Sequence, residues 1–385
     1  MSSETLTPID AVELTRDLIR RPSVTPADAG AMAIVEETLS GLGFACRRMR
    51  FGEIENLYAR YGTVRPNLCF AGHTDVVPVG DAAAWSKDAF AAEVVDGVLI
   101  GRGSVDMKSA IAAFAAACAE AIAAGTVTGS ISFLITGDEE GVAADGTTKV
   151  VDALAAEGEI IDHCVVGEPT SAETFGDMVK VGRRGSINAD IVVEGVSGHV
   201  AYPHRAANPV PVLIRLLAAL QARRLDDGYA EFQPSNLEVT MIEAPNTATN
   251  VIPGVARARL NIRFNPNHTG RALADWFNLE ASKAAEGFAG KVTVTPAISG
   301  EAFLTERGPF TDLVAAAVAD VTGAAPELST SGGTSDARFI RALCPVIEVG
   351  LVGKTMHQVD ERAPVAEIRR LQQVYARIIT RYFGG

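Results

Sequence analysis

Acidic residues and histidines follow several apolar, strand-like runs of this 385-residue chain. The residues in such positions are His73, Asp75, Glu139, Glu140 and Glu168. Because ligands of open α/β sheets bind at the carboxyl ends of strands, we expect these side chains to lie at one sheet edge. Asp106, where an Ala-rich helix begins, and His357, late in the chain, can join them. Imidazoles and carboxylates together suit zinc, with cobalt or manganese as possible substitutes.

The candidate ligands exceed what one open catalytic zinc site needs. Five ligands fit two metal ions that share one carboxylate. Glu139, the acid beside Glu140, could then accept a proton from water and pass it on. Asp75 lies two residues after His73, on the same side of an extended strand. It can therefore reach the non-ligating nitrogen of His73 or nearby backbone.

Each of these residues alone also has an ordinary structural explanation. Asp106 could cap a helix, Glu139 and Glu140 could form a solvated turn, and His73 could be a core histidine. Those explanations together require unrelated coincidences at one sheet edge. The metal site is therefore the better interpretation.

Length, charge and composition exclude several classes of protein. A chain of 385 residues is expected to form two domains. A net charge of −13 argues against binding to nucleic acid or to anionic membranes. No apolar run is long enough for a membrane span, the N-terminus lacks the pattern of a secretory signal, and none of the five cysteines lies in a CxxC pair. We therefore expect a cytoplasmic protein with free thiols.

The pattern of helices and strands predicts an α/β fold with an insertion. Helix and strand signals alternate in the first third, with a helix start expected at Thr7–Pro8, and this alternation indicates a mostly parallel sheet. Near Gly182 the order changes to βαββαβ, which indicates a small α+β sandwich. We therefore predict a catalytic domain formed by residues 1–182 and 297–385, interrupted by a module at 183–296.

The motifs resemble the zinc aminoacylase/carboxypeptidase family of co-catalytic metallohydrolases. Their order and spacing match that family over essentially the whole chain. The motifs are GHTD (72–75), GRGSVDMK (101–108), DEEG (138–141), GEP (167–169) and His357. Further similar segments are KVGRRGS (180–186), GHVAYPH (198–204), NVIP (250–253), SGGTSD (331–336) and MHQVDE (356–361).

The resemblance implies two Zn²⁺ per subunit, for which Co²⁺ can substitute. One ion would be held by His73, Asp106 and Glu168. The other would be held by Asp106, Glu140 and His357, so that Asp106 bridges the two. Glu139 would be the general base, Asp75 would orient His73, and the Asp106–Met107 peptide would be cis.

The resemblance also implies a substrate and a partner. The substrate would be N-succinyl-LL-2,6-diaminopimelate, hydrolysed to succinate and LL-2,6-diaminopimelate in lysine biosynthesis. The inserted module would act as a lid and homodimerisation domain, from which His199 reaches the partner's active site and stabilises the oxyanion. On the residues alone His199 could equally be structural. The implied substrate contacts are Arg183, Tyr202, Asn250, Arg263, Gly333 and Thr334.

Local cations are needed to bind a dicarboxylate to so acidic a chain, and Arg184 also qualifies as one. The small-residue segment 330–335 could present backbone N–H groups to a carboxylate or be a flexible loop. Acetylornithine deacetylation, or hydrolysis of another N-acyl amino acid or dipeptide, would use the same metals and base. A catalytically inactive relative would lack the base or a ligand, yet all are present. A serine hydrolase at 331–335 would lack the GxSxG elbow.

Overall fold

The computed structural model describes residues 8–384. Up to Gly182, helices alternate with strands. The helices are α1 (Ala11–Ile19), α2 (Ala31–Gly41), α3 (Lys108–Ala123) and α4 (Thr147–Ala156). The strands are β1 (Ala45–Phe51), β2 (Ile54–Tyr61), β3 (Asn67–His73), β4 (Glu93–Val95), β5 (Val98–Ile100), β6 (Ser130–Thr136), β7 (His163–Val166), β8 (Met178–Lys180) and β9 (Gly182–Arg183).

The first helix begins later than the sequence predicts. The carboxylate of Asp10 accepts the backbone N–H of Val12 at 2.8 Å, so it caps a helix that starts at Ala11. Pro8 precedes this cap, and Thr7 lies outside the described residues.

The middle of the chain forms a second, antiparallel sheet covered by two helices. Its elements are β10 (Gly185–Glu194), β11 (Gly198–His199), α5 (Pro209–Ala222), β12 (Asn236–Glu243), β13 (Val251–Ile252), β14 (Val255–Phe264), α6 (Gly270–Ala284), β15 (Lys291–Gly300) and β16 (Phe303–Leu304). The four long strands take the order β12-β14-β10-β15, which confirms the predicted βαββαβ pattern. β15 continues past residue 297 although it contains Pro296, because an edge strand tolerates proline.

The last part of the chain returns to the large sheet. Its elements are α7 (Pro309–Thr322), β17 (Glu327–Ser329), α8 (Ala337–Ile340), β18 (Val346–Glu348), β19 (Arg362–Pro364) and α9 (Val365–Phe383). The large sheet has the order β1-β2-β6-β3-β7-β18-β8-β17. Its central strands β6, β3, β7 and β18 are parallel, whereas β1 and β2 pair antiparallel. The predicted α/β class with a mostly parallel sheet is confirmed.

The chain packs as two compact units. The first extends to Gly182 and resumes at Thr305–Ser329 and again from Ser335. The second comprises Arg183–Leu304 and Thr330–Thr334. Each unit has its own cluster of buried apolar residues. The functional roles expected of the two domains remain predictions.

The core of the first unit holds α3 in place. Almost every residue of this Ala-rich helix is buried, so its small side chains face neighbours on all sides. Phe114 of α3 stacks on Phe70 of β3 with ring centroids 4.5 Å apart, and Phe133 of β6 and Tyr375 of α9 complete an aromatic cluster. This cluster packs α3 against β3 and β6.

All five cysteines are free thiols, as expected.

Candidate active site

Three neighbouring parallel strands end where the candidate ligands begin. β3 ends at His73, Glu139 and Glu140 follow β6, and Glu168 follows β7. β3 lies between β6 and β7 and is parallel to both. The carboxyl ends of the three strands therefore bring these side chains to one edge of the sheet.

His73, Asp106 and Glu168 form a first group of possible metal ligands. Their ligand atoms all lie within 4.8 Å of one another, and all three residues are buried. Nε2 of His73 is 3.2 Å from Oδ1 of Asp106 and 3.8 Å from Oε1 of Glu168. Met107, not Asp106, occupies the cap position of α3, and the Asp106–Met107 peptide is cis, as expected. The carboxylate of Asp106 is therefore not used as a helix cap.

Asp106, Glu140 and His357 form a second group. Nε2 of His357 lies 2.9 Å from Oε1 of Glu140 and 3.3 Å from Oδ2 of Asp106. Asp106 thus directs one oxygen to His73 and the other to His357. A carboxylate shared in this way is what a pair of neighbouring metal ions requires.

Asp75 contacts both sides of the site, through different atoms. Nδ1 of His73 bonds to the main-chain oxygen of Asp75 at 2.9 Å. Because a carbonyl only accepts, Nδ1 is the donor, and the lone pair of Nε2 is left for a metal. The Asp75 carboxylate accepts the backbone N–H groups of Glu139 at 3.3 Å and Glu140 at 3.0 Å. It therefore holds the turn that carries these two acids.

The electrostatics of both histidines reflect a concentration of negative charge. Burial lowers the pKa of His73, but the carboxylates of Asp106 and Asp75 outweigh it and raise that pKa well above its usual value. Hydrogen bonds to Asp106 and Glu140 raise the pKa of His357 to about 10. Without another cation, the two imidazoles would take up protons to balance the acids.

The pKa of Glu168 is also raised by its surroundings. Burial, followed by the charges of Asp106 and Glu139, raises the pKa of its carboxyl group well above the usual range. The two groups together offer three carboxylates and two imidazoles. A divalent cation would satisfy these acceptors and take the place of the protons. The residues present therefore fit a pair of metal ions.

Glu139 belongs to neither ligand group although it adjoins Glu140. Burial first, and then the carboxylate of Asp336, raise the pKa of Glu139 to about 8. An acid beside the ligands but outside both groups is available for proton transfer.

Two buried carboxylates near the site were missed in the sequence. The charge of Asp336 raises the pKa of Glu139, and the carboxylate of Glu361 contacts the loop that carries Asp106. Both end segments already noted, SGGTSD and MHQVDE. Each motif already contained residues with a predicted role, so the acid at its end could have been recognised as a further candidate.

Arg183 and Gly333 lie together in the second unit. Nη1 of the buried Arg183 donates to the main-chain oxygen of Gly333 at 3.2 Å. Thr334 is the next residue of the same segment, and Arg263 lies on β14. Arg184 bonds instead to an asparagine side chain of β12 at 3.0 Å.

His199, Tyr202 and Asn250 form another group in this unit. β11 pairs with β13, and the N–H of Val200 donates to the main-chain oxygen of Asn250 at 3.0 Å. The ring centroids of His199 and Tyr202 are 5.8 Å apart. The predicted oxyanion donor His199 and the predicted substrate contacts Tyr202 and Asn250 are all exposed and lie close to one another.

A mostly parallel α/β sheet with two acid–histidine groups that share one aspartate is typical of a metal-dependent hydrolase. The chain belongs to the peptidase family M20/M25/M40, whose model matches residues 69–381. It is a metal-dependent hydrolase, as the sequence predicts.

The chain is similar to curated proteins along nearly its whole length. It is 86% identical over 376 residues, 98% of this chain and 99% of the relative, to a succinyl-diaminopimelate desuccinylase of Phenylobacterium zucineum. A protein of the same name from Caulobacter vibrioides is 72% identical over 377 residues, 98% of this chain and 97% of the relative.

A solved structure supports the fold. An M20 family metallo-carboxypeptidase from Sulfolobus solfataricus superposes with a TM-score of 0.81 at 16% identity, covering 98% of this chain and 100% of that one. Among residues 8–384, no helix is long and apolar enough to cross a membrane.

Proposed function

We propose that this chain hydrolyses N-succinyl-LL-2,6-diaminopimelate to succinate and LL-2,6-diaminopimelate. The observation that carries the proposal is the 86% identity, over 98% of the chain, to a protein named for this activity. The 72% identical relative bears the same name. The first unit supplies the acids and imidazoles that metal-dependent amide hydrolysis requires.

The proposed cofactor is a pair of zinc ions, with cobalt as a possible substitute. One would be held by His73, Asp106 and Glu168, the other by Asp106, Glu140 and His357. When bound, the ions polarise the amide carbonyl and make water more acidic. The chain prepares the site by fixing the His73 tautomer through the backbone of Asp75.

Glu139 is proposed as the general base. It would take a proton from the attacking water and return it to the leaving amine. Its backbone N–H is held by the Asp75 carboxylate at 3.3 Å, which restricts the turn on which it sits. Burial raises its pKa, and positive charge at the neighbouring ligands would lower that pKa towards the range of a base at neutral pH.

The second unit is proposed to bind the carboxylates of the substrate. Guanidinium groups pair with carboxylates through two parallel hydrogen bonds, which favours Arg183 and Arg263 for this role. Arg183 is already buried and bonded to Gly333, so its orientation is restricted before substrate binds. The further proposed contacts are Tyr202, Asn250, Gly333 and Thr334.

His199 is proposed to donate a hydrogen bond to the oxyanion in the partner's site, in a cytoplasmic homodimer formed through the second unit. The N–H of Ala201 donates to Nδ1 of His199 at 3.1 Å. Because Nδ1 accepts that bond, the proton of the neutral ring lies on Nε2. Nε2 of His199 is therefore a hydrogen-bond donor, as oxyanion stabilisation requires.

A competition experiment tests the substrate. Zinc-loaded protein receives equimolar N-succinyl-LL-2,6-diaminopimelate and N-acetylornithine, and mass spectrometry follows the two released amines. The proposal predicts preferential release of diaminopimelate, abolished by Glu139→Gln. Release of ornithine would overturn the substrate while keeping the metals and the base. Release of neither by metal-loaded protein would overturn both activities.

A further inference from the structure

We propose that Glu361 is a positioning residue that fixes Asp106 for both metal ions. Its side chain is 0% exposed, and its carboxylate lies against the loop that leads to Asp106. It accepts four hydrogen bonds: from the N–H groups of Gly103 (3.1 Å), Val105 (2.8 Å) and Asp106 (3.1 Å) and from Nη1 of Arg102 (2.7 Å).

All four hydrogen bonds are donated to the two carboxylate oxygens of Glu361. Oε1 accepts from Val105 and Asp106, whereas Oε2 accepts from Gly103 and Arg102. Both oxygens therefore act only as acceptors in these bonds, and the guanidinium of Arg102, which is 2% exposed, lies against Oε2. An amide in the same place would turn N–H groups towards one of the two donor pairs.

Arg102 is itself held in a defined position. Its Nη1 also donates to the main-chain oxygen of Gln358 at 3.2 Å, and its guanidinium lies 5.3 Å from the ring of Trp85. The backbone N–H of Gly101 donates to the main-chain oxygen of Glu361 at 2.9 Å. The loop 101–106 and the segment 357–361 are thus joined through both side chains and backbone.

This arrangement affects both ligand groups at once. Oδ1 of Asp106 faces His73 and Oδ2 faces His357, so a rotation of the Asp106 backbone would displace a ligand atom in each group. His357 lies on the same segment as Glu361. Loss of the Glu361 carboxylate is therefore expected to weaken both metal sites, whereas loss of Glu168 or Glu140 affects one.

The inference rests on the proposed metal pair, and Glu361→Gln tests it. We expect the affinity for both metal ions, titrated as Co²⁺ by calorimetry, to fall by about 10–100-fold. We also expect a changed visible spectrum of bound Co²⁺. In metal-free protein, hydrogen–deuterium exchange should accelerate in peptides that cover residues 101–106, because their N–H acceptor is damaged.

Asp226→Asn is the matched control. Asp226 is a half-buried carboxylate that also accepts backbone N–H groups, from Gly228 at 2.7 Å and Ser235 at 3.2 Å, but it lies in the second unit. The Asp226→Asn variant should be less stable than the wild type, with an unchanged Co²⁺ spectrum and unchanged hydrogen–deuterium exchange at residues 101–106. If Glu361→Gln does not fold, Arg102→Lys, which keeps a cation but loses the planar fork, should show the same changes to a smaller degree.

The outcomes separate this inference from the proposed function. Wild-type Co²⁺ affinities within about twofold, with an unchanged spectrum and unchanged exchange, would overturn the role of Glu361 while leaving the metal pair intact. If the wild-type protein bound no Co²⁺, the proposed metal pair and the positioning role would both fail.

Discussion

Nδ1 of His73 lies 2.9 Å from the main-chain oxygen of Asp75 but 3.6 Å from Oδ1 of its carboxylate. The backbone of Asp75 therefore orients the imidazole. Its side chain is left to hold the backbone of Glu139 and Glu140. Asp75 thus orients the proposed ligand His73 at the end of β3 and also holds the proposed base Glu139, which follows β6.

This division predicts the behaviour of Asp75→Ala. The backbone oxygen remains in the variant, so the orientation of His73 should survive. The turn carrying Glu139 and Glu140 should loosen, and we expect activity to fall by about 10–100-fold. Anomalous scattering from zinc-loaded crystals should show the larger loss of occupancy beside Glu140. A larger loss beside His73 would instead mean that the carboxylate orients the ring.

Glu139→Gln separates proton transfer from metal binding. The amide cannot accept the proton, so we expect kcat to fall by about 10²–10⁴-fold, with zinc content unchanged. Steady-state kinetics and elemental analysis of the same preparation check both parts. Glu140→Gln is the neighbouring control, and it should lose zinc as well as activity. Retention of more than about a tenth of wild-type kcat in Glu139→Gln would rule out a base at this position.

Subunit mixing tests where His199 acts. Alone, His199→Ala should lose about 10²–10³-fold in kcat, as expected for an oxyanion donor. Mixed with Glu139→Gln under conditions of subunit exchange, it should form heterodimers with one intact site. The mixture would then recover about a quarter of wild-type activity. No recovery, despite heterodimers seen by native mass spectrometry, would place His199 in its own subunit's site or outside catalysis.

Asp226 gives the second unit a pH-dependent contribution to stability. Burial alone would raise its pKa, but hydrogen bonds from Ser235, Gly228 and Asn265 lower it to about 2. Because the folded-state pKa lies below the unfolded value of 3.8, this stabilisation is complete above about pH 4 and is lost as the pH falls towards 2.

Asp226→Asn should therefore cost about 1–3 kcal/mol at pH 7. The difference in thermal stability between wild type and variant should shrink between pH 4 and pH 2. Calorimetric unfolding of both proteins across this range measures it. A difference that stays constant with pH would mean that the charge of Asp226 contributes nothing.

The candidate ligands could be predicted from sequence because their positions follow from local rules, whereas their division into two groups followed from the family resemblance. His73 ends one buried apolar strand and Glu168 follows another, and adjacent parallel strands place such residues at one edge. The βαββαβ order of the second unit was similarly visible in its hydrophobic pattern. The sequence predicted that the inserted module ends at residue 296, but β15 continues to Gly300, because the sequence does not reveal how far an edge strand extends.

The contacts of Glu361 could not be predicted in this way. Its bond to the N–H of Asp106 joins residues 255 positions apart, and a backbone N–H carries no side-chain signal. The sequence also does not distinguish the main-chain oxygen of Asp75 from its carboxylate as the partner of His73. Such choices depend on tertiary packing, which motif spacing does not encode.

The claim on which the mechanism depends most is that Asp106 serves both metal ions. Zinc bound per chain, measured by elemental analysis after equilibrium dialysis, tests it in three proteins. We expect about two ions in the wild type, about one in Glu168→Ala and none held tightly in Asp106→Asn. If Asp106→Asn kept its two zinc ions with wild-type affinity, the shared carboxylate, and the site built around it, would be contradicted.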